Sequence, residues 1–171
     1  AKDNGADGCL LVTPYYNKPT QEGLYQHYKK IADVVDIPQI LYNVPGRTSV
    51  DMQPETVFRL STHKNIVGIK EASGNKDRST SLMKLCSQDM SIFTGDDKTS
   101  MSDIADGFSG NISVTANVAP LEMHQMCISA LEGDIENASK LNSKLDILHD
   151  LLFCESNPIP VKWCLHKMGL I

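Results

Sequence analysis

Apolar runs of strand length alternate with helical patterns along this chain, and this alternation constrains the fold more than any other feature. The predicted strands cover residues 8–16, 39–44, 66–72, 91–94 and 110–115. The predicted helices cover residues 20–35, 54–60, 77–86, 99–105, 120–131, 134–153 and 160–168. Strands that alternate with helices pair in parallel through right-handed crossovers. The pattern therefore predicts an α/β fold.

Two α/β architectures fit this order of elements, an open doubly wound sheet and a (β/α)8 barrel that is cut short. Both place function at the carboxyl ends of the strands. No G-x-G-x-x-G motif opens a helix, so a dinucleotide-binding fold has no support. Reactive side chains close four successive strands, which is typical of a barrel. These side chains are Tyr15, Tyr16, Tyr42, Asn43, Lys70, Glu71, Asp96 and Asp97.

Composition excludes several classes of protein. The chain has 171 residues, 41% of them hydrophobic, which is enough for one domain with a real core. Its net charge of -5, without a basic block, argues against nucleic acid and anionic membranes as partners, and no apolar stretch is long enough to span a membrane. The five cysteines form no C-x-x-C pair, and the histidines lack metal-ligand spacing. We predict no disulfide framework, no metal site and a reducing compartment, the cytoplasm.

Lys70 is the residue with the clearest chemical potential. It lies near the carboxyl end of an apolar run that reads as a buried strand, where the ammonium form loses its hydration. A neutral amine can attack a ketone and form a Schiff base. The alternative is a lysine that extends to the rim of the sheet or pairs with a carboxylate.

Three further residues are of interest near Lys70 in the sequence. Side chains alternate along a strand, so Tyr42 and Lys70 meet if both strands turn these faces inward. The tyrosine hydroxyl could then shuttle protons, although a half-buried structural tyrosine fits equally well. Arg47 follows the second strand and could bind a substrate carboxylate, or be an ordinary surface arginine. Gly68, below Lys70, would leave room for a small ligand.

Five separated motifs resemble those of the 4-hydroxy-tetrahydrodipicolinate synthase (dihydrodipicolinate synthase) family. They are TPYYNKP at 13–19, LYNVPGRT at 41–48, GIKEA at 68–72, GDD at 95–97 and NPIPVK at 157–162. The likeness covers essentially the whole chain. It implies a pyruvate-dependent, class I aldolase-type (β/α)8 TIM barrel that uses no cofactor.

The resemblance also implies a reaction and roles for six residues. Lys70 would condense with pyruvate, and the enamine would attack aspartate 4-semialdehyde in lysine (diaminopimelate) biosynthesis. Tyr42 matches the proton-relay tyrosine, and Tyr16 the tyrosine that completes the relay across a dimer interface. Arg47 matches the arginine that receives the semialdehyde carboxylate. Ile112 matches the position whose backbone carbonyl lies by pyruvate, and Tyr15 a contact in the lysine feedback pocket.

The chain departs from the family in length. A complete barrel has eight strands, and the five predicted here match the fourth to eighth, followed by the start of a C-terminal helical segment. We therefore expect a partial barrel at 1–119, which carries Lys70, and a truncated helical segment at 120–171. The family is a dimer of dimers, so a homo-oligomer is expected. Residues 1–171 alone are expected to lack synthase activity and to associate, because strand edges and apolar faces would be uncovered.

Two alternatives to the synthase remain. One is another pyruvate-dependent lyase of the same superfamily, of the N-acetylneuraminate lyase type. Arg47 argues against it, since that enzyme does not need the carboxylate-binding arginine. The other is a catalytically inactive fragment that acts only as an association module.

Overall fold

The computed structural model describes residues 1–86 and 88–171, and within them it contains five strands and eight α-helices. The strands are β1 (Cys9–Val12), β2 (Gln39–Asn43), β3 (Ile66–Glu71), β4 (Ser91–Thr94) and β5 (Gly110–Asn111). The helices are α1 (Gln21–Val34), α2 (Pro45–Thr48), α3 (Pro54–Ser61), α4 (Lys76–Cys86), α5 (Ser100–Ala105), α6 (Pro120–Leu131), α7 (Ile135–Leu151) and α8 (Ile159–Lys167).

The order of the strands distinguishes between the two predicted architectures. The sheet has the order β1-β2-β3-β4-β5, and β2 pairs in parallel with both β1 and β3. A doubly wound sheet reverses its strand order at a switch point, whereas consecutive barrel strands follow chain order. The α/β fold with the strand order of a partial barrel is therefore confirmed, and the doubly wound alternative is wrong.

The chain divides into two compact units, Ala1–Phe93 and Thr94–Ile171. Each unit is compact and makes contacts within itself. The separation of residues 1–119 from 120–171 that the sequence suggested stays a prediction.

In the first unit, one face of the sheet is covered by helices and the other is more open. Along β2 the side chains alternate between buried (Gln39, Leu41, Asn43) and half-buried (Ile40, Tyr42). Helix α1 buries Leu24 and Tyr28. The helix begins within one residue of its predicted start at residue 20. Thr20 caps this end, since its hydroxyl accepts a hydrogen bond from the Gly23 backbone N–H at 3.2 Å. The more open face carries Tyr42 and is available for a ligand.

The second unit has its own apolar core between α6 and α7. Met123, Met126 and Leu145 are buried there together with Ala119. Methionines of α6 and leucines of α7 thus supply this core. In the part of the chain that the structure describes, none of the helices combines the length and apolar character needed to cross a bilayer.

Two predicted strands are shorter than expected. Strand β1 ends at Val12 instead of residue 16, since Pro14 cannot donate to a ladder. Strand β5 ends at Asn111 instead of residue 115. The backbone N–H groups of Val114 and Thr115 donate to the Asp97 carboxylate, at 3.0 and 2.8 Å, and these donors are therefore lost to any sheet ladder.

Helix α2 was not predicted. Pro45 and Gly46 were interpreted only as the end of β2, yet Pro45 begins a four-residue helix that includes Arg47. Proline suits the first helical position because its missing N–H would have no partner there. The buried Thr48 hydroxyl holds the turn, since it lies 3.1 Å from the Val44 carbonyl and 3.0 Å from that of Val50.

Candidate active site

Lys70 and Tyr42 lie side by side at the carboxyl ends of β3 and β2. The two residues are register partners, and Lys70 Nζ lies 4.4 Å from the centre of the Tyr42 ring. Both side chains are half-buried. Their predicted adjacency is confirmed. The pair places an amine over the face of a phenol ring on the more open face of the sheet. An amine and a hydroxyl that can donate a proton are the two groups that Schiff-base formation uses.

The environment of Tyr42 favours its protonated form. Burial raises the pKa of the phenol above its ordinary value, and the positive charge of Arg47 opposes this effect only in part. The hydroxyl therefore keeps its proton at neutral pH and can donate that proton to a leaving oxygen atom of a bound substrate. The electrostatic effect also shows that the Arg47 charge acts on Tyr42.

Arg47 is exposed on α2, directly after the strand that carries Tyr42. The helix is closed by Ser49, which has a left-handed backbone with φ 54, and its N–H donates to the Pro45 carbonyl at 2.9 Å. An exposed guanidinium on a tightly held turn can bind a carboxylate bidentately.

The two tyrosines after β1 extend away from the first unit. Tyr15 is 63% exposed and Tyr16 is 94% exposed. The described residues therefore cover little of the Tyr16 ring, although the ring is large and mostly apolar. The structure leaves it in a position where a second molecule could cover it.

Gly68 was predicted to leave room for a small ligand, but in the structure strand β4 lies against it. A Cβ at this position would lie 3.0 Å from the Ser91 carbonyl oxygen and 3.4 Å from the Phe93 ring. The space that the sequence suggested for a ligand is therefore occupied by the neighbouring strand β4. Glycine is required here because the backbones of β3 and β4 approach closely.

We expect Gly68→Ala to lower the free energy of unfolding by about 1–3 kcal/mol, because the added methyl group must push against a backbone carbonyl that cannot rotate away. Urea denaturation measures the change. Gly46→Ala is the matched control, since a Cβ there meets no atom within 4 Å. Equal stability of the two variants would contradict the steric explanation.

Ile112 and Asp97 belong to the second unit. Ile112 follows β5, and its N–H donates to the Thr94 carbonyl at 3.0 Å. Asp97 is buried and also accepts a hydrogen bond from the Asn111 amide at 2.9 Å. Asp97 was predicted among the reactive residues at strand ends, but its carboxylate holds the segment after β5 in place. The role of Ile112 stays a prediction.

A buried polar cluster lies directly behind Tyr42 and Lys70. It consists of Asn43, Glu71 and Arg78, with Asp51 at its more exposed side, and we call it the anchoring cluster. Arg78 Nε lies 2.7 Å from Glu71 Oε2, and both side chains are almost fully buried. Asn43 and Glu71 were noted in the sequence as strand-end residues.

Arg78 was not noted in the sequence, although one signal could have found it. It lies four residues before Leu82 and eight before Cys86, and all three are buried on the same side of α4. Within the described residues, no group of three or more His, Cys, Asp or Glu side chains could hold a metal ion.

Comparison with known proteins connects this geometry to one family. The model of the dihydrodipicolinate synthetase family matches residues 1–171. A curated 4-hydroxy-tetrahydrodipicolinate synthase from Alcanivorax borkumensis is 63% identical over 171 residues, which is 100% of this chain and 58% of the relative. The chain thus spans less than two thirds of the length of this relative.

Solved structures agree with the sequence matches. A chloride-inhibited dihydrodipicolinate synthase from Acinetobacter baumannii, complexed with pyruvate, is 57% identical with a TM-score of 0.97, over 99% of this chain and 58% of that one. The enzyme from Cyanidioschyzon merolae with lysine bound is 36% identical with a TM-score of 0.94, over 99% and 58% of the two chains. Because a single family model covers every residue, this chain belongs to the dihydrodipicolinate synthetase family.

Proposed function

We propose that the protein is a lyase that condenses pyruvate with aspartate 4-semialdehyde to give 4-hydroxy-tetrahydrodipicolinate, in lysine (diaminopimelate) biosynthesis. The observation that carries the proposal is the Lys70 amine, which lies 4.4 Å from the ring of its register partner Tyr42. Family membership supports it, as does a relative that is 57% identical in sequence and was solved in complex with pyruvate.

The proposed chemistry begins on Lys70. The neutral amine attacks the ketone carbon of pyruvate, and a C–N bond forms. The ketone oxygen takes up two protons, one from the attacking nitrogen and one from an acid, and leaves as water, so that Lys70 carries a protonated imine. Tyr42 is proposed to supply the second proton, since burial keeps its hydroxyl protonated. Loss of a proton from the pyruvate methyl group then gives an enamine, whose carbon attacks the aldehyde of the second substrate.

Assembly and regulation are further parts of the proposal. The exposure of Tyr16, at 94%, supports a homo-oligomer in which this ring completes the proton relay of a partner subunit. The dimer-of-dimers arrangement and the cytoplasmic location are proposed with it. Tyr15 is proposed as a contact for lysine as feedback inhibitor, since a related enzyme was solved with lysine bound.

Borohydride trapping tests the proposal. The protein is incubated with pyruvate, reduced and digested. The peptide that contains Lys70 should gain the mass of one pyruvic acid minus one oxygen atom, because the imine loses water and the reduction adds two hydrogens. A folded protein that yields no adduct would show that the proposed function is wrong.

Arg47→Ala separates the two substrates. We expect pyruvate trapping to be unchanged, while binding of the semialdehyde weakens by roughly 30-fold, the equivalent of about 2 kcal/mol for a lost charged hydrogen bond. Titration calorimetry of the pyruvate-loaded protein with the semialdehyde measures the effect. Arg59→Ala is the control, since Arg59 is an exposed arginine of the same unit that pairs with Glu22. An equal loss in both variants would argue against a role in binding the semialdehyde.

A further inference from the structure

We propose that Asn43, Glu71 and Arg78 are positioning residues, which fix the carboxyl ends of β2 and β3 so that Lys70 stays over the Tyr42 ring. The inference rests on the proposed function, because it assigns a catalytic consequence to structural hydrogen bonds. It concerns the face of the sheet opposite the site, to which the mechanism above gives no role.

The strand register connects the two faces. Tyr42 pairs with Lys70, and the next register pair is Asn43 with Glu71. Successive side chains of a strand point to opposite faces, so fixing Asn43 and Glu71 fixes the backbone from which Tyr42 and Lys70 project. Asn43 is 0% exposed and Glu71 is 4% exposed, so solvent does not compete for their hydrogen bonds.

Side-chain hydrogen bonds bridge the two strands at this pair. Asn43 Nδ2 donates to Asp51 Oδ1 at 2.9 Å and lies 3.3 Å from Glu71 Oε2. The Ser73 backbone N–H donates to Glu71 Oε1 at 2.8 Å. Glu71 is thereby committed to structural partners on the far face, and its carboxylate is not a base for the reacting amine.

Arg78 closes the cluster from helix α4. Its Nε donates to Glu71 at 2.7 Å, a second guanidinium nitrogen lies 3.1 Å from Asp51, and the third nitrogen donates to the Met52 carbonyl. A planar guanidinium with fixed donors defines the distance between the groups that it joins, which the flexible ammonium of a lysine does not.

The cluster also reaches the segment that follows Arg47. Asn43 Oδ1 accepts a hydrogen bond from the Met52 backbone N–H at 2.9 Å, and Arg78 contacts both Asp51 and Met52. Asp51 and Met52 follow shortly after α2. Arg78 and Asn43 together thus link the three segments that carry Tyr42, Lys70 and Arg47.

The test compares Arg78→Lys and the double variant Glu71→Gln/Arg78→Met with the parent protein. The double variant removes both charges of the buried pair, so it avoids leaving one charge uncompensated. We expect both variants to fold and to form the pyruvate imine at Lys70 roughly 10- to 100-fold more slowly at saturating pyruvate, because a small displacement of a reacting group is costly. Arg59→Met, at an exposed pair, is the control and should react at the parent rate.

A second measurement needs no substrate. Lysines are reductively methylated with isotopically labelled formaldehyde, and the Lys70 methyl signal is assigned by Lys70→Arg. In the parent, the ring current of Tyr42 should displace this NMR signal from the positions of exposed lysines. In the double variant the displacement should be lost. A purely structural role would lower thermal stability and leave both the rate per folded molecule and the signal unchanged.

The outcomes are distinguishable. Imine formation in the double variant within about twofold of the parent rate, with an unchanged Lys70 signal, would overturn the inference. If the parent forms no imine, the proposed function is wrong, and the NMR signal still decides whether the cluster positions Lys70.

Discussion

Replacing Lys70 with alanine is expected to reduce borohydride-trapped pyruvate to background. The amine is the only part of the proposed machinery that becomes covalently bound to the substrate, so no neighbouring group can substitute for it. Tyr42 can move protons but cannot form an imine. The chemical step should therefore fail completely rather than slow down, which distinguishes Lys70 from residues that only orient or protonate.

The control variants for this experiment lie nearby in the chain. Lys70→Arg keeps a positive charge over the Tyr42 ring but has no nucleophilic amine, so it should fold well and trap nothing. Lys64→Ala removes a lysine just ahead of β3 whose side chain is 79% exposed, and it should trap pyruvate normally. Intact-protein mass spectrometry measures all three. Trapping that survives in Lys70→Ala would show that another lysine is the nucleophile.

Much of the fold could be predicted because the local and the global signals agree. Helices α1 and α3 combine an apolar spacing with a recognisable start, at Thr20 and at Pro54. The apolar runs at β2 and β3 end in polar residues, and their register follows from side-chain alternation. The contact between Tyr42 and Lys70 could be predicted from this alternation alone.

The predicted end of β5 was wrong because a side chain, and not a neighbouring strand, accepts hydrogen bonds from the backbone there. Strand β5 stops early because the Asp97 carboxylate takes the N–H groups of Val114 and Thr115, and a pattern of apolar residues carries no record of that competition. The prediction that Gly68 leaves room for a ligand also depended on contacts between strands. The sequence shows that a side chain is missing there, and only the structure shows which atom of β4 fills the space.

Arg78 illustrates the remaining difficulty. An arginine in the first turn of a helix usually lies in solvent, so its burial could be inferred only from its spacing to Leu82. Its partners, Glu71 and Asp51, lie on other elements of the first unit. Long-range pairing of this kind depends on how the helix packs against the sheet, which no local pattern contains.

Replacing Arg78 with methionine is expected to lower the free energy of unfolding by about 3–5 kcal/mol, the cost of breaking a buried ion pair from one side. Methionine fills much of the volume of the arginine side chain but leaves the Glu71 carboxylate buried without its cation, and Glu71 is only 4% exposed. Guanidinium or urea denaturation, followed by circular dichroism, measures the loss.

Two comparisons separate the loss of charge pairing from the loss of packing. Adding Glu71→Gln to Arg78→Met should recover most of the stability, because the uncompensated carboxylate is gone while the packing is unchanged. Arg59→Met, at a pair exposed to solvent, should change the midpoint little. A double variant as unstable as the single one would mean that Arg78 stabilises the first unit through packing alone.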